Sequence, residues 1–492
     1  MKLIAWLFLG MAAAWAHDAH GRSTAPPEAL RLTNPLAPGQ RDAALAARLY
    51  EQHCGGCHGV DGRSMTPLAG KLKVRPTNLA NYLMESMKDG EIYWVVTHGI
   101  GASMPAFHQL PDDQRWQLVG HVRALRAQQR AIEKARLGSY DWKLPPGFPL
   151  PNVPPDNPMT AAKVTLGRHL FYDQRLSLNQ TQSCASCHKQ ELAFTDGRPR
   201  GIGSTKEKHP RGSMSLANMA YTPILTWANP NLRRLETQAL APLFGDHPVE
   251  LGMAGKEDLM AERLKADARY RKMFAEAFPE QPEPFNLANI TKAIASFERT
   301  LLSGDSPFDR YRNGDDANAI TPAAKRGEAL FFSERLECFH CHGGFNLTGS
   351  VDYLDKGFVE VEFHNTGLYR HYETPNTGLE EFTHDEEDNG KFRAPTLRNI
   401  AVTAPYMHDG SVATLEAAVD HYAKGGRGGD HPAKSEFIKS FDLTAQEKRD
   451  LVEFLRSLTD QTFLRNPQFG NPWPPAKTTA TQRPTGQKGS TR

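Results

Sequence analysis

Apolar positions along this chain recur mostly at helical spacing. Trp116, Val119, Val122 and Leu125 share one stripe of a predicted helix, and Leu415, Ala418, Val419 and Tyr422 follow the i, i+3, i+4, i+7 pattern of another. Three shorter stretches end in a leucine-aromatic pair: 46–50 (AARLY), 167–171 (GRHLF) and 327–331 (GEALF). They read as one helix repeated in three copies of a single unit. Thr160 before Ala161 and Thr321 before Pro322 supply N-caps, the second with proline at the first helical position. Period-two runs are few and short. The predicted fold is mainly α, three units with long loops and few short strands.

Punctuation divides these units. Residues 144–158 (LPPGFPLPNVPPDNP) forbid helix and favour a stiff, extended connector. Beyond about 460 the chain turns to Pro, Thr, Gln, Lys and Gly, the composition of a disordered tail. The expected boundaries are 41–130 for the first unit, 131–158 for a Pro-rich linker, 159–315 and 316–460 for the second and third units, and 461–492 for the tail.

The chemistry enters with the cysteines. All six fall in CxxCH motifs, Cys54 and Cys57 before His58, Cys184 and Cys187 before His188, and Cys338 and Cys341 before His342. Two thiols one helical turn apart suit thioether bonds to the two vinyl groups of a haem, and the next imidazole suits proximal iron ligation. A zinc site would want four soft ligands and no histidine after every second cysteine. A redox dithiol would occur once, in a βαβ setting. The motifs predict three covalently bound haem c groups, one per unit, and leave no cysteine for a disulfide.

Lys2 and the apolar run from Leu3 to Ala16 read as a secretory signal at 1–16 with cleavage before His17, so the expected compartment is the periplasm. The run is short for a bilayer span, and no membrane-spanning segment is expected. The 58 basic and 56 acidic side chains nearly cancel, and no basic stripe points to nucleic acid. His17-Asp-Ala-His20 has copper-binding residue types but reads as a solvated terminus.

Residues 41–128, with a helix before Cys54, the segment GIGASMPAF and then an amphipathic helix, resemble a class I cytochrome c. The resemblance implies that Met104 supplies the second iron ligand, with Met65, Met84 and Met87 as rivals. His-Met ligation raises the potential and closes the iron, which suits electron transfer.

Residues 147–458 resemble the bacterial di-haem cytochrome c peroxidase and MauG superfamily. The likeness is carried by 148–197 (FPLPNVPPDNPMTAAKVTLGRHLFYDQRLSLNQTQSCASCHKQELAFTDG), by FHNTG, and by APTLRNIAVTAPYMHDGSVATLEAAVDHY. It implies that the haem on His188 reacts with hydrogen peroxide and the haem on His342 stores or supplies an electron. It places Gln238, Pro242 and Glu250 at the positions of a distal loop whose Glu is catalytic, with Asp246 and His247 as neighbouring rivals. Trp227 falls near the inter-haem tryptophan. Tyr422 falls where peroxidases have an axial Met and MauG-type enzymes an axial Tyr; Met407, His408 and His421 are alternatives, and so is simple core packing. Thr403 and Pro405 match the carbonyl pair of a calcium site, but Gly212 stands where that site has an Asn, which weakens a hard-cation site. His209 is displaced from the place of a distal haem ligand and reads as a loop histidine.

The first expectation for function is a tri-haem cytochrome c peroxidase that reduces hydrogen peroxide with electrons delivered through the first unit. The donor would be a small protein, a cytochrome c or a cupredoxin. The alternative is a MauG-like enzyme whose oxidised di-haem state oxidises aromatic residues of a partner protein. A non-enzymatic multi-haem electron carrier is the third. The resemblance also implies a homodimer.

Overall fold

The computed structural model describes residues 25–473, less 27, 73–75, 82, 101–103, 138, 315, 355 and 357. The signal segment and the His17–His20 stretch lie outside the described residues.

Helix pairs organise each unit. In the first, α1 (Ala43–His53) packs on α2 (Asp112–Arg136); in the second, α3 (Ala161–Phe171) packs on α4 (Leu287–Glu298). In the third, α5 (Pro322–Phe331) and α6 (Leu415–Ala423) both pack on α7 (Ala445–Ser457). The repeated helices start where their caps predict. Thr160 accepts a hydrogen bond from the Lys163 amide, and Thr321 accepts one from Ala324 with Pro322 at the first turn. The second and third of these helices end on their leucine-aromatic pair and the first runs on to His53, and Tyr50, Phe171 and Phe331 are buried.

The second and third pairs cross backbone to backbone at a glycine. A Cβ on Gly167 would lie 1.8 Å from the carbonyl oxygen of Ala293 in α4, and one on Gly327 would lie 2.0 Å from that of Asp450 in α7. No rotamer relieves such a contact, so the repeated motif needs its glycine for packing. The only regular sheet among the described residues is the two-residue antiparallel pair of Phe363–His364 with Phe392–Arg393. The expected α architecture with sparse strands is what forms.

Two boundary expectations need correction. The first unit keeps its expected start, with the preceding segment packed on it: Asn34 donates to the Trp116 carbonyl at 3.0 Å, and Gly90 leaves room for the backbone of Ala29. The linker does not begin at 131, because α2 runs to Arg136. The connector, expected to be stiff and extended, also packs against both of the units that follow it. Phe148 packs on the rings of Tyr221 in the second unit and Phe345 in the third, at 5.8 and 4.9 Å, and the Tyr221 hydroxyl donates to the Pro149 carbonyl at 2.7 Å.

The tail is not disordered from 461. Gln461–Arg465 is helical, and Phe463, Leu464 and Phe469 join the core of the second unit. Gln190 donates to the Phe463 and Asn466 carbonyls at 3.1 and 2.8 Å, and Tyr172 donates to Phe469 at 2.8 Å. The Trp473 indole donates to the His169 carbonyl at 3.1 Å. Polar composition dominates only after this point; these four apolar side chains bury enough area to order the segment before it.

A buried ion pair holds the second unit together. Arg299 makes two bonds to Glu236, at 2.8 and 3.0 Å, and Asn157 donates to the same carboxylate at 2.7 Å. Arg299 thus ties the end of the linker to α4.

Candidate functional site

The three CxxCH segments share one local design. Cys54 caps α1 and leads into the short helix Gly55–His58, while Cys184–Cys187 and Cys338–His342 form equivalent turns. In each, the histidine Nδ1 bonds a backbone carbonyl: His58 to Thr77 at 2.9 Å, His188 to Phe194 at 2.7 Å and His342 to Leu347 at 3.3 Å. Donation from Nδ1 fixes the tautomer and leaves Nε2 as the free lone pair, the arrangement a metal-ligating imidazole requires. Burial depresses the pKa of all three, His342 to about 4, so the rings are neutral and competent as ligands. The six thiols are unpaired. This donor set fits covalent haem at every motif.

Around His342 lies a cavity of about 260 Å³ lined largely by apolar side chains. Cys338, Cys341, Leu415, Val419 and Tyr422 line it, so the predicted stripe of α6 faces this space. Tyr422 is close enough to both cysteines for charge on them to act on its phenol, and burial pushes that phenol well above its usual range. Of the rivals, Met407 and His408 also line the cavity, and His408 stacks on Phe392 with ring centroids 3.8 Å apart. His421 Nε2 instead bonds the Thr366 carbonyl at 3.0 Å.

Trp227 lies at the edge of the second unit. Its ring lines the same cavity, as do residues 195–198, which directly follow the carbonyl that holds His188. The indole donates to the Gly212 carbonyl at 2.8 Å. Thr403 and Pro405 line this region too, but Gly212 brings no side-chain oxygen to complete the carbonyl pair. These residues fit a calcium ion poorly.

At the second unit, Glu250 is fixed from both sides. Leu251 donates to the Pro242 carbonyl at 2.9 Å, which clips the loop to the helix Leu240–Phe244, and Ser204 donates to the Glu250 carbonyl at 2.7 Å. Gln238 is half-buried, one turn before Pro242. The rivals Asp246 and His247 are exposed. The Glu250 carboxylate lies within electrostatic reach of Cys184 and Cys187, and burial raises its pKa to about 7.

Sequence reasoning undervalued His209. Its Nε2 lies 4.0 Å from Glu250 Oε1. The Arg211 amide donates to His209 Nδ1 at 3.1 Å, so the proton sits on Nε2 and faces the carboxylate. That gap exceeds a direct hydrogen bond and matches one bridging oxygen. Glu298 was missed altogether. It is buried at the end of α4 beside Cys184, with Oε2 lacking a hydrogen-bond partner and the pKa pushed up to about 8 by burial. Its burial follows from the packing of α4 on α3, which the local sequence does not announce.

Comparison with known proteins decides the family. Residues 161–317 match the model of the di-haem cytochrome c peroxidases, and residues 41–122 match that of subunit III of cbb3-type cytochrome c oxidase. The methylamine utilization protein MauG of Methylorubrum extorquens is 36% identical over 333 residues, 67% of this chain and 85% of that protein. The chain belongs to the di-haem cytochrome c peroxidase/MauG family. Within it, the cytochrome-c peroxidase IdrP1 of Denitromonas iodatirespirans is 35% identical over 390 residues, 73% of this chain and all of that protein. The crystal structure of a MauG-like protein associated with microbial copper homeostasis is 49% identical, with a TM-score of 0.66, and covers 68% of this chain and 100% of its own. As in other members of this family, the chemistry is that of a haem peroxidase oxidoreductase, here joined to an N-terminal cytochrome c domain. No helix among the described residues is long and apolar enough to cross a membrane.

Proposed function

We propose that this protein is a periplasmic tri-haem enzyme of MauG type, which uses hydrogen peroxide to oxidise aromatic side chains of a partner protein. The observation that carries this reading is Tyr422, turned into the cavity of Cys338, Cys341 and His342. A phenolate oxygen there favours oxidised iron, whereas a thioether would favour reduced iron. The 49% identity to a solved MauG-like protein supports the same reading, and that protein's association with copper homeostasis makes a copper-handling protein the first partner to test.

When bound, the haems supply the two-electron reduction of peroxide to water and hold the resulting oxidising equivalents. The chain's own residues handle the protons. Glu250, with a pKa of about 7, is part ionised at neutral pH; it can take a proton from the near oxygen of peroxide and return it to the departing one. His209 Nε2–H, facing the same space, orients that oxygen. Gln238 and Pro242 shape the loop that presents Glu250. Trp227, which lines the cavity of the third haem together with residues 195–198 of the second unit, couples the two haem sites. His58 and Met104 hold the first haem for electron transfer. Met104 packs in the same apolar cluster as Cys54, Met84 is buried in that cluster with its carbonyl bonded to Arg123, and Met65 is exposed.

Cytochrome c peroxidase turnover is the second reading, favoured by the fused first unit, which makes electron delivery intramolecular. Stoichiometric peroxide added to the resting protein separates the two. Persistent oxidation of the di-haem pair with slow turnover of reduced cytochrome c is the MauG-type result. Rapid steady-state turnover with cytochrome c or a cupredoxin would overturn it in favour of the peroxidase. Solely low-spin resting signals in electron paramagnetic resonance would overturn both.

A further inference from the structure

Five arginines are buried among the described residues, and four of them meet a carboxylate. Arg126 pairs with Glu85 at 2.9 Å, Arg211 with Glu381 at 2.5 Å, and Arg299 with Glu236 and Arg398 with Asp309 each at 2.8 Å. Arg393 is the exception. It is 5% exposed, and no carboxylate among the described residues forms an ion pair with it. Its guanidinium donates from Nε to the Thr226 carbonyl at 3.3 Å and from Nη2 to the Met214 sulfur at 3.4 Å, two weak contacts for a group with five N–H donors. Burial pushes its pKa down to about 10, with no anion to offset it. A guanidinium taken out of water alone is costly, so this side chain calls for a negative partner.

The place for that partner is the third haem cavity, which Arg393 lines together with Cys338, Cys341 and His342. The carboxylates on the same wall, Asp196 and Glu337, are not paired with it. Of the other cations there, Arg198 and Lys439 are exposed and Arg398 is held by Asp309. Backbone fixes the position of Arg393: it pairs with Phe363 in the two-stranded sheet, and its amide donates to the Trp227 carbonyl at 2.8 Å. Amide and Nε thus grip the consecutive carbonyls of Thr226 and Trp227, and one residue joins the cavity to the segment that carries the tryptophan.

A haem attached through Cys338 and Cys341 brings two propionate carboxylates, and the planar fork of a guanidinium matches a carboxylate with two parallel hydrogen bonds. We propose that Arg393 binds a propionate of the third haem and ties that edge of the haem to the Trp227 segment. This rests on the reading of Cys338–His342 as a covalent haem site. Arg393 is a positioning residue, and no bond is made or broken at it. Its charge also offsets that of the propionate, which makes reduction of the third haem easier than it would be beside an unpaired carboxylate.

The test is a spectroelectrochemical titration of the full-length, haem-loaded protein at pH 8, with Arg393→Gln and Arg393→Lys beside the wild type. Arg393→Gln should weaken reduction of the third haem at least tenfold, a fall of about 59 mV for one electron, and leave the first haem unchanged. Arg393→Lys keeps the charge and should recover more than half of that shift. An unchanged third haem in Arg393→Gln, or an equal fall in both variants, overturns the proposal. Should Arg393→Gln fail to mature, a crystal structure of the haem-loaded wild type decides: a propionate oxygen about 2.9 Å from the guanidinium supports the pairing, and two propionates turned away from Arg393 overturn it. Mass spectrometry of the Cys338–Cys341 peptide tests the underlying reading. A wild-type peptide without haem overturns the haem site and the role of Arg393 with it, whereas a haem-bearing peptide with an unshifted potential overturns the role of Arg393 alone.

Discussion

Replacing Glu250 by Gln removes one ionisation and almost no volume. Burial raises this carboxyl from 4.5 to about 7. At 1.36 kcal/mol per decade, that rise means that ionising Glu250 costs the fold about 3 kcal/mol. The side chain is 34% exposed, so solvent screening brings the figure down to about 1–2 kcal/mol. Between pH 4.5 and 7 the folded carboxyl keeps a proton that the unfolded chain has released, so stability falls as pH rises through this window. The penalty is absent below pH 4.5 and complete above 7. Glu250→Gln has no ionised form, so it should equal the wild type in acid and exceed it by about 1–2 kcal/mol above neutrality in denaturant unfolding. The chemistry should move the other way. Gln can neither accept nor return a proton, so the second-order reaction with peroxide should drop by about a hundredfold in stopped-flow absorption. The wild-type rate should climb with pH to about 7 and then level, whereas the variant should be flat. A variant with the wild-type rate and pH profile refutes the role given to this carboxylate.

Other substitutions address the remaining assignments. Tyr422→Phe keeps the ring of α6 and deletes the oxygen; it should change the spectrum of the third haem alone and abolish oxidation of a partner protein, as read by electron paramagnetic resonance and mass spectrometry. Met104→Ala should remove the Met-iron charge-transfer band at the red end of the oxidised spectrum, and an intact band dismisses this ligand. Arg299→Ala leaves the Glu236 carboxylate buried without its cation and should cost about 3–5 kcal/mol in unfolding experiments, whereas a loss below about 1 kcal/mol would show that the pair is dispensable.

Much of this architecture was legible because it depends on local chemistry. The CxxCH spacing is written in the chain, and the leucine-aromatic repeat marks helices whose glycines prove to be crossing points. The stripe of Leu415, Ala418, Val419 and Tyr422 left two readings, core or ligand, and it proves to line the third haem cavity. What stayed hidden depends on contacts distant in sequence. His209 gains meaning only because the Glu250 loop folds back against it, and Glu298 only because α4 passes beside Cys184. The tail was misread because average composition hides four apolar side chains that find a surface about 300 residues earlier in the chain.

That returning tail governs the order in which the molecule can be completed. The Cys184–His188 motif belongs to a unit whose interior includes Phe463, Leu464 and Phe469, which follow the third unit in the chain. The middle unit therefore cannot bury its full apolar core until the chain has run through the third. Ending the chain at 460 would strip apolar cover from the reactive unit, not the terminal one, and leave it prone to aggregate.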